Sequence, residues 1–128
     1  MSDTQQSLLD SAKDAVGKEM WDFGPNAKFT MEGKLGGATS VAHIADLAGL
    51  DGLESASVQG LSEELVDEHG FKEKPLSEGK PGDIMIDRDR HRMGIIGENG
   101  RMYHMDRQGT WQEMPLTKSL TARAYSKD

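Results

Sequence analysis

Chemistry in this sequence would have to come from four histidines, a run of alternating aspartates and arginines, and two hydroxyls behind a glycine-rich stretch, because cysteine is absent. The missing thiol removes disulfides, thiolate metal ligands and a cysteine nucleophile together. The run Asp87-Arg-Asp-Arg-His91, with Glu98 beyond it, puts donors at the first, third, fifth and twelfth positions of a calcium loop. Arg92 stands where such a loop needs glycine and Gly94 where it needs an apolar residue, and no helices flank the run, so a salt-bridged strand is the simpler reading. On an extended segment Asp87, Asp89 and His91 would share one side, the nearest approach to a transition-metal site in the sequence. His43 and Asp46 would be neighbours on a helix surface but lack a visible third ligand. No metal and no cofactor is expected. Thr39 and Ser40 are ordinary helix-capping residues. As nucleophiles they would need a base, for which His104 and His91 are the available pair.

The elements that would position these groups fall into two halves. Apolar residues at helical spacing predict a first helix over Thr4–Met20, ended by the Gly24-Pro25 pair. A glycine-rich loop, Gly33 to Gly37, leads into a second helix at about Ala38–Ala48, with Val41, Ile44 and Ala45 on one face. A third helix is predicted from Val58 to His69, between Ser57 as N-cap and Gly70 just past its end. The second half reads as a meander of strands. Lys80-Pro-Gly-Asp83 is a turn, and Asn99-Gly100 suits a type I′ hairpin between Arg92–Glu98 and Arg101–Asp106. Further strands are expected at Thr110–Glu113 and near Thr121–Tyr125. Helices first and strands second imply α+β: one domain over residues 1–128, with a helical part at about 4–70 and an antiparallel sheet part at about 83–125.

Charge narrows the partners. A net charge of −7 works against a phosphate-binding surface, so a nucleic acid is not expected. No apolar run reaches the length of a membrane span and no Sec signal opens the chain, so no membrane partner is expected. A cytoplasmic protein is the default expectation, with a phage particle or non-Sec export as alternatives. Eight methionines, several among the predicted strands, suit a small core or an adaptable contact surface.

The stretches Leu35-Gly-Gly-Ala-Thr-Ser-Val41, Lys80-Pro-Gly-Asp83 and Arg92-Met-Gly-Ile-Ile-Gly-Glu-Asn-Gly100, followed by Arg101-Met-Tyr-His104, occur in an order and spacing that resemble the papain-like bacterial cell-wall hydrolases, the NlpC-type peptidases and CHAP amidases. The resemblance covers roughly Trp21 to Leu116. It implies N-terminal helices packed on a small antiparallel sheet, with a nucleophilic Cys opening the second helix, a general-base His on the strand before the hairpin and a third polar residue after it. The corresponding positions here are Gly37, Arg92 and His104. Gly37 supplies no nucleophile and Arg92 no base, while His91 is displaced by one residue, which on a strand reverses the face. What the resemblance implies is therefore a catalytically inactive member, binding a peptide, a peptidoglycan fragment or a protein partner, or serving as a structural part. The alternative is an active hydrolase of cell-wall peptides or amides using Ser40 or Thr39 as nucleophile. Glycine at position 37 and arginine at 92 are compatible with natural decay or with deliberate replacement.

Overall fold

The computed structural model describes residues 1–18, 37–50, 52–53, 57–106 and 108–127. Among these residues three helices, α1 (Asp3–Asp14), α2 (Gly37–Leu47) and α3 (Val58–His69), precede six strands: β1 (Lys72–Pro75), β2 (Ile84–Asp87), β3 (Arg92–Ile96), β4 (Arg101–Met105), β5 (Trp111–Pro115) and β6 (Ala122–Ser126). A single turn of 3-10 helix, Leu76–Glu78, stands between β1 and β2. The strands form one antiparallel sheet in the order β1-β6-β2-β3-β4-β5.

This corrects the expected architecture. The protein is mixed α+β in the general sense, but its helices are not clearly N-terminal and its sheet is larger than the small one expected. The sheet has six strands and begins at Lys72, well before Asp83, and helical structure recurs inside it at Leu76–Glu78. The extra strand is not legible in the sequence because Lys-Glu-Lys-Pro has no apolar alternation. Its pairing with β6 is a backbone matter, and its lysines and proline suit an edge that must not recruit another chain.

The helix starts follow local chemistry. The Ser2 hydroxyl accepts the Gln5 backbone N–H at 3.2 Å, and the Ser2 N–H donates to Gln5 Oε1 at 2.8 Å, a reciprocal box that fixes the first turn of α1. α1 ends at Asp14 rather than Met20. The Gly17 N–H donates to the Trp111 carbonyl at 2.8 Å and the Lys18 carbonyl accepts the Trp111 N–H at 2.9 Å, so the chain leaves the helix to pair with β5. Val16, within the span predicted as helix, is accordingly exposed; Met20, Trp21 and the turn after them lie outside the described residues. α3 matches its prediction at both ends, with Ser57 Oγ accepting the Gly60 N–H at 2.9 Å and Gly70 left-handed at φ 72°.

Alternation along the strands splits the core in two. One face of the sheet, including Ile86, Met93, Ile95 and Tyr103, packs with the helices. The other, including Met85, Ile96, Met102 and Ala124, is covered by Leu76 and Leu116. Trp111 bolts the layers together: it is fully buried and its Nε1–H donates to the Ala12 carbonyl at 2.9 Å. Burying an indole stabilises by roughly 4–6 kcal/mol at the usual area coefficient.

The predicted turns hold. Asn99 (φ 56°) and Gly100 (φ 72°) form the tight β3–β4 connection, closed by the Arg101 N–H on the Glu98 carbonyl at 3.1 Å. At Lys80–Asp83, Gly82 has φ 91° and passes so close to α1 that a Cβ there would lie 2.1 Å from the Gln5 carbonyl oxygen. Only glycine fits both constraints.

Candidate functional site

The residues that the motifs single out are distributed over α2, the β2–β3 turn, β3 and β4. α2 begins at Gly37, and Ala38, Val41, Ile44 and Ala45 seat it against the helix-side core, where it packs on α1, β3 and β4. Ser40, in its first turn, is fully buried. Leu35 and Gly36 lie outside the described residues, as does the side chain of Thr39.

Arg92 and His104 lie on the same face of neighbouring strands. β3 and β4 pair Ile95 with Tyr103 and Ile96 with Met102. A Cβ on Gly94 would fall 2.5 Å from Met102 Cε and 3.4 Å from His104 Cβ. Gly94 and His104 thus share a face with Met102, and by alternation Arg92 shares it too. His104 is half-buried. Burial pushes its imidazole below the usual histidine range, with Asp106 pulling it up and the Arg92 guanidinium pushing it further down. Burial thus favours the neutral imidazole, and the permanent charge of Arg92 acts in the same direction.

Gly37 does not join them on that face. The helix it opens packs on the side of β3 and β4 that carries Met93, Ile95 and Tyr103, whereas Arg92 and His104 project from the opposite side. His91 is exposed in the β2–β3 turn with a left-handed backbone, φ 53°. A nucleophile must meet both its base and its substrate. Ser40, sealed in the core, meets no bulk solvent.

The Asp87–His91 run is organised around one buried carboxylate. Asp87, 1% exposed, accepts hydrogen bonds from Ser119 Oγ and Thr121 Oγ1, each at 2.6 Å, and from the Arg90 N–H at 3.2 Å. Burial works to raise its pKa, but those hydrogen bonds and the Arg90 guanidinium prevail and hold it below the usual carboxylate range. Asp89 and His91 are exposed in the turn, so the alternation that would have aligned all three is broken there. Among the described residues no group of three or more His, Asp or Glu side chains could hold a metal ion. His43, half-buried on α2, has its imidazole lowered by burial, raised by Asp46 and lowered again by Lys18.

Sequence reasoning missed the partners of Asp87. Ser119 and Thr121 flank Leu120 in the connection to β6, and only the Ser-x-Thr pattern marked them as able to grip a carboxylate from two sides. Among the described residues no helix is long and apolar enough to cross a membrane.

Comparison with known proteins adds no relative: no family model, no curated protein and no solved structure matches this chain.

Proposed function

We propose that this chain is a catalytically inactive relative of the NlpC-type and CHAP cell-wall hydrolases that works as a binding module for a peptide, with peptidoglycan stem peptides and protein tails as the source of such peptides. The observation that carries the reading is that Arg92 and His104 share one face of the sheet, a guanidinium and an imidazole whose neutral form burial favours, with no thiol anywhere in the chain. An arginine offers a carboxylate two parallel N–H donors, and a neutral imidazole adds one donor or acceptor beside it. That combination recognises a carboxyl-bearing peptide without attacking it. The separation of the α2 start from this pair, together with the burial of Ser40, further supports binding over hydrolysis.

Purified protein is incubated with crosslinked peptidoglycan and with free stem peptides, and both release of new amines and binding by calorimetry are measured. The expected result is no turnover, no labelling by a fluorophosphonate, and binding that Arg92→Gln weakens by roughly tenfold, the loss of one charge-assisted bidentate contact. Reproducible turnover above a heat-inactivated control refutes the inactive reading.

A further inference from the structure

The tip of the β3–β4 hairpin sets a carboxamide next to an unhindered amide nitrogen. The chain has two asparagines, Asn26 and Asn99, and only Asn99 precedes a glycine. Asn99 and Gly100 are both exposed. Neither the Asn99 side chain nor the Gly100 N–H has a hydrogen-bond partner among the described residues. A Cβ built on Gly100 would meet nothing within 4 Å, so the surroundings of that nitrogen are open to water. Asparagine is a thermolabile residue because the next backbone nitrogen can reach its carboxamide carbon. A side chain on the following residue hinders that approach, and glycine has none.

The tip is also held loosely enough to react. It lies beyond the last paired residues of the two strands, Ile96 and Met102. The Arg101 N–H closes it on the Glu98 carbonyl at 3.1 Å, and the Leu116 N–H ties down the Gly100 carbonyl at 2.9 Å. Glu98 pairs with Lys13 across an exposed gap. Contacts at such an edge open locally while the core stays closed. They slow the approach of the nitrogen to the carboxamide without forbidding it.

We propose that Asn99 is a self-modifying site, converted through a cyclic imide into isoaspartate and aspartate. The Gly100 nitrogen attacks Asn99 Cγ and its proton passes to water or hydroxide. The new N–Cγ bond forms, the Cγ–Nδ2 bond breaks and ammonia leaves. Water then adds to the ring: breaking the N–Cγ bond gives aspartate, and breaking the bond from that nitrogen to the main-chain carbonyl carbon gives isoaspartate. Water is the only co-reactant and no group changes oxidation state. Isoaspartate runs the backbone through Cβ, so the bond between Arg101 and Glu98 no longer closes the same tight turn. It also sets a second carboxylate beside Glu98. The end of the hairpin thus loosens as the molecule ages, while Ile95 and Tyr103 keep the strands seated in the core. None of this depends on kinship with the hydrolases.

The test incubates the folded chain at neutral to mildly alkaline pH and follows the tryptic fragment 93–101, released after Arg92 and Arg101, by mass spectrometry. The fragment is expected to gain about 1 Da. The gain appears in two forms, one cut by an endoprotease specific for aspartate and one that resists it and accepts a methyl group from an isoaspartyl methyltransferase. The rate rises about tenfold per pH unit, because the attacking nitrogen must shed its proton. It is roughly threefold to a hundredfold slower than in a synthetic peptide of residues 93–101, reflecting the opening of the tip. Asn99→Gln, which would need a larger ring, shows no gain. The isoaspartate form melts about 3–6 °C below the parent. Freshly prepared Asn99→Asp, which adds the charge without lengthening the backbone, keeps the parent Tm. The proposal is overturned if the folded chain gains no mass at this fragment over that time, if aspartate forms without isoaspartate, or if the isoaspartate form and Asn99→Asp melt together.

Discussion

Replacing Asp83 by alanine tests the physical account at its most buried charge. The Asp83 carboxylate is fully buried and accepts from Gln5 Nε2 at 2.9 Å, from the Lys80 N–H at 2.8 Å and from the Lys74 ammonium at 3.1 Å. It thereby ties α1, the Lys80–Asp83 turn and edge strand β1 to one point. Lys74 keeps 20% of its side chain exposed and can turn to water when its partner is gone, so it contributes little to the loss. Gln5, 2% exposed, retains the Ser126 hydroxyl at 3.3 Å but loses its shorter bond, and the Lys80 N–H loses its side-chain acceptor. Two bonds to a charged acceptor, with the Gln5 donor left buried and the Lys80 N–H partly so, amount to about 3–5 kcal/mol. For a domain of this size that lowers Tm by roughly 10–25 °C. Thermal unfolding followed by circular dichroism measures it, with Asp89→Ala, an exposed carboxylate on the β2–β3 turn, as a control expected to stay within about 0.5 kcal/mol. A Tm for Asp83→Ala within about 3 °C of the parent would refute the claim that this carboxylate organises the three elements.

Two further outcomes follow from the geometry. Gly82→Ala places a Cβ at φ 91° and 2.1 Å from the Gln5 carbonyl oxygen, so α1 must move and stability falls by more than about 2 kcal/mol; Gly100→Ala, left-handed at φ 72° but in open space, costs only about 1 kcal/mol, and chemical denaturation of both variants compares them. Burial depresses the folded-state pKa of His104, so the unfolded chain takes up its proton first as pH falls. The contribution of His104 is complete above the ordinary value of 6.5 and is lost as pH drops through the folded value. Denaturation midpoints measured from about pH 7.5 to pH 5 should fall more shallowly for His104→Gln than for the parent; part of the slope remains because His43 shifts in the same direction. Identical slopes would show that His104 is not held neutral.

Local chemistry made much of the fold legible. α3 is bounded by an N-cap serine and a left-handed glycine, and Asn99-Gly100 admits few backbones other than the hairpin it forms. Elements decided by distant partners were not legible. The end of α1 depends on Trp111 drawing Gly17 and Lys18 onto β5, and β1 exists because β6 offers an open row of backbone groups to a charged segment. The candidate site shows the same division. That Arg92 and His104 share a face follows from a hairpin register readable in the sequence, but which face that is, away from α2, depended on how the sheet is covered. The grip of Ser119 and Thr121 on Asp87 joins residues more than thirty positions apart, beyond the reach of any local pattern.

The hydrogen bond from the Ser2 hydroxyl to the Lys127 carbonyl, 2.8 Å long, brings residues at opposite ends of the chain to a single point. A short peptide splice there would close the backbone into a ring with little loop-closure entropy to overcome. The ring could then be opened between Asn99 and Gly100, at an exposed tip, giving a circular permutant in which every strand keeps its neighbours while β3 and β4 become the outermost in sequence. For the same reason, any segment joined before Ser2 and any joined after Lys127 would emerge side by side, so the domain would sit on its attachments as on one stalk.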